Sequence, residues 1–116
     1  MKIKSALIAS LNDELRKDPS NRGPGLITMT SGVAALGSAF WAKVADKLAS
    51  LMPADFDSGN DPYGERDFAA IEVDGEKLFF KIDYFAKGSE YMSGAETPED
   101  PATTDRVLTV MLREEY

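Results

Sequence analysis

The side chains in this sequence most able to do chemistry form an acidic group near the middle of the chain. Within 13 residues stand six side chains with oxygen donors: Asp55, Asp57, Asn60, Asp61, Glu65 and Asp67. Calcium takes about 6–8 oxygen ligands, so this composition is compatible with a cation site. Counting from Asp55, however, Asn60 and Arg66 occupy the places where an EF-hand loop needs Gly and Glu. The alternative interpretation is a solvated acidic loop or a surface that faces a protein partner.

Composition excludes several other chemistries for this chain. It contains neither Cys nor His, which excludes disulfides, Cys/His zinc or haem sites, thiol nucleophiles and histidine-dependent triads. Residues 32–38 read G-x-x-x-x-G-S, but Ser38 stands where a phosphate loop has its Lys. In residues 74–77 Glu directly precedes Lys, unlike the Glu-x-Lys pattern of metal-dependent nucleases.

Two carboxylates on neighbouring predicted strands, Asp67 and Asp83, are the candidate pair for acid–base work, since a glycosidase needs only two such groups. The alternative for Asp83 is an ion pair with Lys81 or Arg66, which contributes under about 1 kcal/mol when exposed. The sequence indicates no anion-binding Arg cluster. We therefore expect a protein that is not an enzyme, with no cofactor, no catalytic residues and no metal ligands.

The charge is distributed unevenly along the chain. The net charge is −7, with +3 over residues 1–54 and −10 over residues 55–105. This acidic part would repel bare nucleic acid and attract a basic protein surface, unless it only keeps the protein dissolved. The residues expected to bind a partner are Asp55, Asp57, Asp61, Tyr63, Glu65, Asp67, Glu72, Asp74 and Glu76.

Residues 60–65 carry a turn signal as their minimum role. Asn60 and Asp61 can accept backbone N–H bonds, Pro62 restricts φ, and Gly64 can adopt positive φ, so a tight turn is predicted before the next strand. Tyr63 is expected to pack over the sheet, with exposure as a binding anchor as the alternative.

Helical periodicity marks the first half of the chain. Residues 3–17 place Ile3, Leu7, Leu11 and Leu15 on one apolar stripe, with Ile8 beside it and Asp13, Glu14, Arg16 and Lys17 on the solvent side. A strand is predicted at 26–30 and a helical turn at 33–36. A longer helix is predicted from Ser38, as its cap, to about Met52. Its expected buried face is Phe40, Trp41, Val44, Ala45, Leu48 and Leu51.

A hairpin and a closing helix are predicted in the second half. Asp74-Gly75 joins alternating runs at 68–73 and 78–85, as in a type I′ turn. In the second run the residues 78, 80, 82 and 84 share one face, and 79, 81, 83 and 85 share the wetter one. After a polar loop at 86–100, Asp100-Pro101 resembles a helix start, so a helix to Tyr116 is predicted.

The resulting architecture is a small single α+β domain, residues 1–116, in the order α-β-α-β-β-α. Its sheet is expected to be short and mainly antiparallel, with helices packed on it. No run is apolar enough to span a membrane, and residues 1–11 lack a signal-peptide cleavage site. A cytoplasmic location is therefore expected.

Several stretches resemble an uncharacterised bacterial family of small proteins, found in proteobacteria and on their plasmids. They are Asn60–Phe68 (NDPYGERDF), Leu11–Asp13, Thr30–Gly37, Lys81–Tyr84 (KIDY), Thr104–Leu112 and Glu115-Tyr116. Relatives often have His where Arg66 stands, so a catalytic role of that His would be absent here. The resemblance implies no established activity, but its plasmid setting implies an accessory role in a mobile element.

Two functional hypotheses follow. The first is an acidic interaction protein that inhibits a host nucleic-acid-binding defence protein, in the manner of anti-CRISPR or anti-restriction proteins. Its carboxylates would occupy Lys/Arg sites that otherwise bind phosphates. The alternative is a metal-dependent hydrolase or a cation-binding module that uses residues 55–67.

Overall fold

The protein folds as a layer of helices on one face of a mixed sheet. The computed structural model describes residues 2–17, 25–56, 59 and 61–116, without the side chains of residues 2 and 3. The described helices are α1 (Lys2–Arg16), α2 (Ser31–Ala34) and α3 (Ser38–Ser50), with single 3₁₀ turns at Pro53–Asp55 and Arg113–Glu115. The described strands are β1 (Gly25–Met29), β2 (Phe68–Val73), β3 (Glu76–Ala86) and β4 (Thr104–Leu112). Among these helices none is both long and apolar enough to cross a membrane.

The sheet has the strand order β1-β4-β3-β2 in the described part of the chain. β4 pairs antiparallel with β3 and parallel with β1, while β2 and β3 form the predicted hairpin. Its turn is confirmed, because Asp74 (φ 51°) and Gly75 (φ 80°) both have the positive φ that a type I′ turn needs. The predicted α+β class with a mainly antiparallel sheet is therefore confirmed.

The predicted closing helix is wrong, because residues 104–112 form an inner strand of the sheet, β4. The apolar run from Val107 to Leu112 contains hydrophobic residues at both helical and strand spacing, so its periodicity does not separate the two structures. The side chain of Asp100 accepts a hydrogen bond from Ala102 N (2.9 Å) within a turn. The Asp100-Pro101 pair, which resembles a helix start, therefore forms a turn before the strand β4.

The core lies between the helices and one face of the sheet. It contains Leu15, Val33, Phe40, Val44, Leu48, Leu51, Ala69, Ile71, Val73, Leu78, Phe80, Ile82, Leu108 and Val110. The predicted buried face of α3 is confirmed, with Trp41 and Ala45 partly buried at its edge. The predicted N-cap of α3 is wrong, because Ser38 is the first helical residue. The N-cap position is occupied by Gly37 (φ 95°), which makes no side-chain hydrogen bond to the helix.

Helix α1 packs through a different face from the predicted one. Leu7 is 50% exposed, whereas Asn12 and Arg16 are buried together with Ile8 and Leu15. The predicted apolar stripe is therefore not the buried side of α1 at Leu7, and the predicted solvent position of Arg16 is wrong. The side chain of Ile3, also predicted on this stripe, lies outside the described part of the protein. Two polar residues on the inner face require polar partners inside the protein.

The other face of the sheet is open to solvent. It carries the predicted wetter set of β3, namely Phe79, Lys81, Asp83 and Phe85, all of which are partly exposed. Phe79 forms an aromatic group with Phe68 and Tyr116, whose ring centroids lie 5.1–5.4 Å apart. The open face therefore has an apolar area at the end where β2 begins.

Candidate functional site

Residues 61–67, which we call the acidic turn, form a tight turn before β2. Asp61 accepts hydrogen bonds from Gly64 N at its carbonyl (3.2 Å) and from Arg66 N at its Oδ1 (3.0 Å). Gly64 (φ 69°) and Arg66 (φ 53°) both have positive φ. The predicted turn is confirmed for these residues, and Asn60 lies outside the described part of the chain.

An ion pair ties the acidic turn to α1. Arg66 donates from Nε and Nη2 to the two carboxylate oxygens of Asp13, at 3.0 and 2.6 Å. Asp13 Oδ1 also accepts from Nη1 of the buried Arg16 (2.7 Å). Burial acts to raise the pKa of Asp13, but its bonds to Arg66 and Arg16 outweigh this and lower the pKa. Both partners therefore remain charged at neutral pH, and Arg66 pairs with Asp13 instead of Asp83.

A buried hydrogen-bond network lies behind the same turn. Asn12 donates from Nδ2 to the carbonyl oxygen of Glu65 (2.9 Å) and to the hydroxyl of Tyr84 (2.8 Å). The Tyr84 hydroxyl donates in turn to Glu65 Oε1 (3.0 Å). Burial, the largest cause, raises the pKa of Tyr84, so that it stays a hydrogen-bond donor and not a base. Glu65 is thus held at both its backbone and its side chain.

Arg106 completes this network from β4. Its Nε donates to Asn12 Oδ1 (2.8 Å), its Nη2 donates to the carbonyl of Pro98, and its guanidinium lies over the ring of Tyr84 (5.1 Å). Its Nη1 is buried with no hydrogen-bond partner in the described part of the chain. Burial lowers the pKa of Arg106, although an arginine remains charged. Arg106, Asn12 and Tyr84 therefore act as internal supports of the turn.

Tyr63 projects from the acidic turn and is 76% exposed. The expectation that it packs over the sheet is wrong, because about three quarters of the side chain remains exposed. Beside it opens a cleft of about 470 Å³, lined by Gly59, Pro62, Tyr63, Asp67, Phe68, Phe79 and Tyr116. The turn and the aromatic group of the open face thus share one surface depression.

Asp67 is the carboxyl group whose titration is most altered at this site. Partial burial and the neighbouring charge of Glu65 raise its pKa to about 6, with further contributions from Asp61 and Asp83. Asp83 makes the smallest contribution and forms an ion pair with Lys81 on its own strand (3.2 Å). Asp67 and Asp83 are therefore electrically coupled, but weakly.

The remaining predicted partner-binding residues lie elsewhere. Glu72, Asp74 and Glu76 are exposed at the hairpin tip, where Asp74 forms an ion pair with Lys43 (2.8 Å). β2 connects the acidic turn to this tip, so that Asp67 and Glu72 stand five residues apart, roughly 17 Å at strand spacing. Asp55 is exposed and accepts from Met52 N (2.7 Å). Asp57 lies outside the described residues.

No cluster of three or more acidic side chains with metal-binding geometry occurs among the residues that the structure describes. Asp61 and Glu65 instead use carboxylate oxygens for bonds within the protein. Two members of the acidic group of the sequence, Asp57 and Asn60, are not among the described residues.

Comparison with models of protein families identifies the family of this chain. The model of the family described as "Protein of unknown function (DUF3768)" matches residues 29–115. The chain belongs to this family. No curated protein and no solved structure matches the sequence.

Most supports of the acidic turn fall within the part of the chain that matches the DUF3768 family. Arg66, Tyr84 and Arg106 are inside the match, and Asn12 and Asp13 precede it. None of these five is among the residues that the sequence pattern predicts to bind a partner. The available signal was that each stands in a stretch that resembles the family.

Proposed function

We propose that this protein is a non-enzymatic interaction protein that binds a basic surface of a protein partner through the acidic turn. The observation that carries the proposal is Tyr63, which is 76% exposed on a turn held by bonds to α1 and β3. Exposed aromatic side chains on pre-organised backbone are typical binding anchors, because little conformational freedom is lost when they bind.

The charge around Tyr63 supports a basic partner. Asp61, Glu65 and Asp67 lie in the same turn. Partial burial raises the pKa of Asp67, and the negative charges of Glu65 and Asp61 raise it further. The positive charge nearest in sequence, Arg66, is neutralised by Asp13. A basic protein surface would relieve this negative field, whereas the phosphates of nucleic acid would increase it.

The finer form of the proposal concerns the biological partner. The resemblance to small plasmid-borne proteins suggests a cytoplasmic, mobile-element inhibitor of a host nucleic-acid-binding defence protein. In that role the carboxylates of the acidic turn and of the hairpin tip would compete with phosphates for the Lys and Arg residues of the partner. Partner-binding roles are proposed for Tyr63, Asp67, Glu72, Asp74 and Glu76, while Asp61 and Glu65 also hold the turn.

The proposal predicts a specific capture experiment. The immobilised protein is incubated with a proteobacterial lysate, and the retained protein is quantified at about 50 and 300 mM salt, since exposed charges are screened within roughly 10 Å at 0.1 M. We expect retention at low salt, release at high salt, and release at low salt by added duplex DNA. Tyr63→Ala is expected to reduce retention at least about tenfold, the effect of a hot-spot aromatic.

A matched control separates the effect of charge at the proposed surface from the effect of the net charge of the protein. The double variant Glu72→Lys/Glu76→Lys is expected to weaken retention. Glu14→Lys/Glu96→Lys changes the net charge equally at other exposed positions and should leave retention unchanged. Equal loss in both double variants, or retention that Tyr63→Ala does not affect, would contradict the proposed surface.

A further inference from the structure

The cleft beside the acidic turn combines aromatic walls with a carboxyl group. Tyr63, Phe68, Phe79 and Tyr116 line it together with Asp67. Its volume of about 470 Å³ lies in the usual range of ligand sites, roughly 300–1,000 Å³. Aromatic faces attract cations, and Arg in particular stacks on them because the guanidinium is planar and weakly hydrated.

The aromatic walls are held in place. Phe68 lies on β2 and Phe79 on β3. The ring centroid of Tyr116 lies 5.4 Å from that of Phe68 and 5.1 Å from that of Phe79. Glu115 fixes the backbone before Tyr116, because its Oε1 accepts from Thr30 Oγ1 (2.6 Å) and from Leu112 N (2.8 Å). Tyr116 nevertheless remains 72% exposed. Its ring is therefore both positioned and available to a ligand.

Among the described residues, no cation–π contact involves the rings of this cleft. The cation–π contacts found among the described residues place Arg16 over Phe56 and Arg106 over Tyr84, neither of which lines this cleft. Arg66 turns away to Asp13, and Lys81 pairs with Asp83. The carboxyl group of Asp67 therefore stands beside aromatic rings over which no cation of the described part of the chain lies.

We propose that this cleft, which Tyr63 also lines, binds an arginine side chain of the partner, with the guanidinium stacked on Tyr116 and paired with Asp67. The inference rests on the proposed function and makes it specific: the basic surface contributes one inserted arginine, and the other charges act at longer range. A lysine fits less well, since its ammonium is compact and strongly hydrated.

The test uses the full chain and three acetylated, amidated hexapeptides of arginine, lysine or citrulline. Binding is followed by amide chemical shifts in NMR titrations. We expect the arginine peptide to shift residues 67, 68, 79 and 116 in a saturable manner, with an affinity at least about fivefold above that of the lysine peptide. The citrulline peptide has nearly the same shape without the charge and is expected not to bind.

A matched pair of variants tests whether the Tyr116 ring contributes to arginine-peptide binding. Tyr116→Leu keeps an apolar side chain at an exposed position and should weaken arginine-peptide binding at least about threefold. Tyr91→Leu removes a different exposed tyrosine, which contacts Phe85 outside the cleft, and should leave arginine-peptide binding unchanged. Equal affinities of the arginine and lysine peptides, or an unchanged affinity in Tyr116→Leu, would overturn the arginine site.

The two proposals fail separately. If Tyr116→Leu still retains the salt-sensitive partner at full strength, the arginine site is refuted and the basic-surface proposal stands. If the arginine peptide binds the cleft as expected but no lysate protein is retained at low salt, the arginine site stands and the basic-surface proposal is refuted.

Discussion

At the scale of single residues, Asp67 shows how the surroundings set the chemistry of a carboxyl group. Its pKa is raised to about 6 by partial burial and by the charges of Glu65, Asp61 and Asp83. The Tyr84 hydroxyl lies within the same electrostatic environment and stays protonated. A group like Asp67 is protonated more readily in the folded than in the unfolded protein, where an aspartate has a pKa near 3.9.

This linkage predicts a pH-dependent effect of Asp67→Asn. Because the folded pKa exceeds the unfolded one, the wild-type protein loses stability at this residue as the pH rises from about 4 through about 6. The variant carries no such charge, so it should be more stable than wild type at pH 7–8, with a difference that shrinks towards pH 4. Thermal unfolding of both proteins across this pH range measures it. Glu96→Gln removes one carboxylate at an exposed position outside the acidic turn and serves as the control for the change in net charge.

At the scale of elements, β4 shows that the spacing of hydrophobic residues does not always distinguish a helix from a strand. The predicted helix from Asp100-Pro101 to Tyr116 would bury both Val107 and Leu108, whereas the strand buries Leu108 and leaves Val107 partly exposed on the open face. Strand formation wins because β4 pairs with β1 on one side and β3 on the other. Such pairing satisfies the backbone groups of a central strand, which no local signal in the sequence reports.

Two alanine variants distinguish the strand from a helix. Leu108→Ala should reduce the free energy of unfolding by about 2–4 kcal/mol, because it leaves a cavity in the core. Val107→Ala should cost about 1 kcal/mol or less, as expected for a partly exposed position. Urea unfolding of both variants gives the comparison, and similar large costs for the two would contradict the strand.

At the scale of the whole molecule, Asn12 connects parts of the chain that are far apart in sequence. Its side chain bonds to the acidic turn, to Tyr84 on β3 and to Arg106 on β4. All of these partners lie 53–94 residues away. Since a buried guanidinium that loses its acceptor is costly, the network couples the stability of the fold to the position of Tyr63.

We therefore predict that Asn12→Leu both destabilises the protein and loosens the acidic turn. The free energy of unfolding should fall by about 2–4 kcal/mol, since Arg106 Nε and the Glu65 carbonyl lose their partner. Hydrogen exchange at the amides of residues 64–67 should accelerate. Leu7→Ala on the exposed side of α1 should stay within about 0.5 kcal/mol of wild type and leave the exchange unchanged. Normal exchange in Asn12→Leu would show that the turn does not depend on the network.

The sequence by itself determined the features that depend on neighbouring residues. The Asp74-Gly75 turn, the alternation of β3, the buried face of α3 and the tight turn at 61–67 follow from backbone preferences and local spacing. The charge of −10 over residues 55–105 is likewise a property of the sequence.

Only the tertiary structure decided the features that depend on distant partners. These are the strand β4 in place of a helix, the burial of Asn12 and Arg16 in place of Leu7, the exposure of Tyr63, and the aromatic cleft with Tyr116. The physical reason is that a polar side chain can be buried, and an ambiguous apolar segment can become a strand, only where distant residues supply hydrogen bonds. Those contacts arise when the sheet assembles, so local patterns cannot report them.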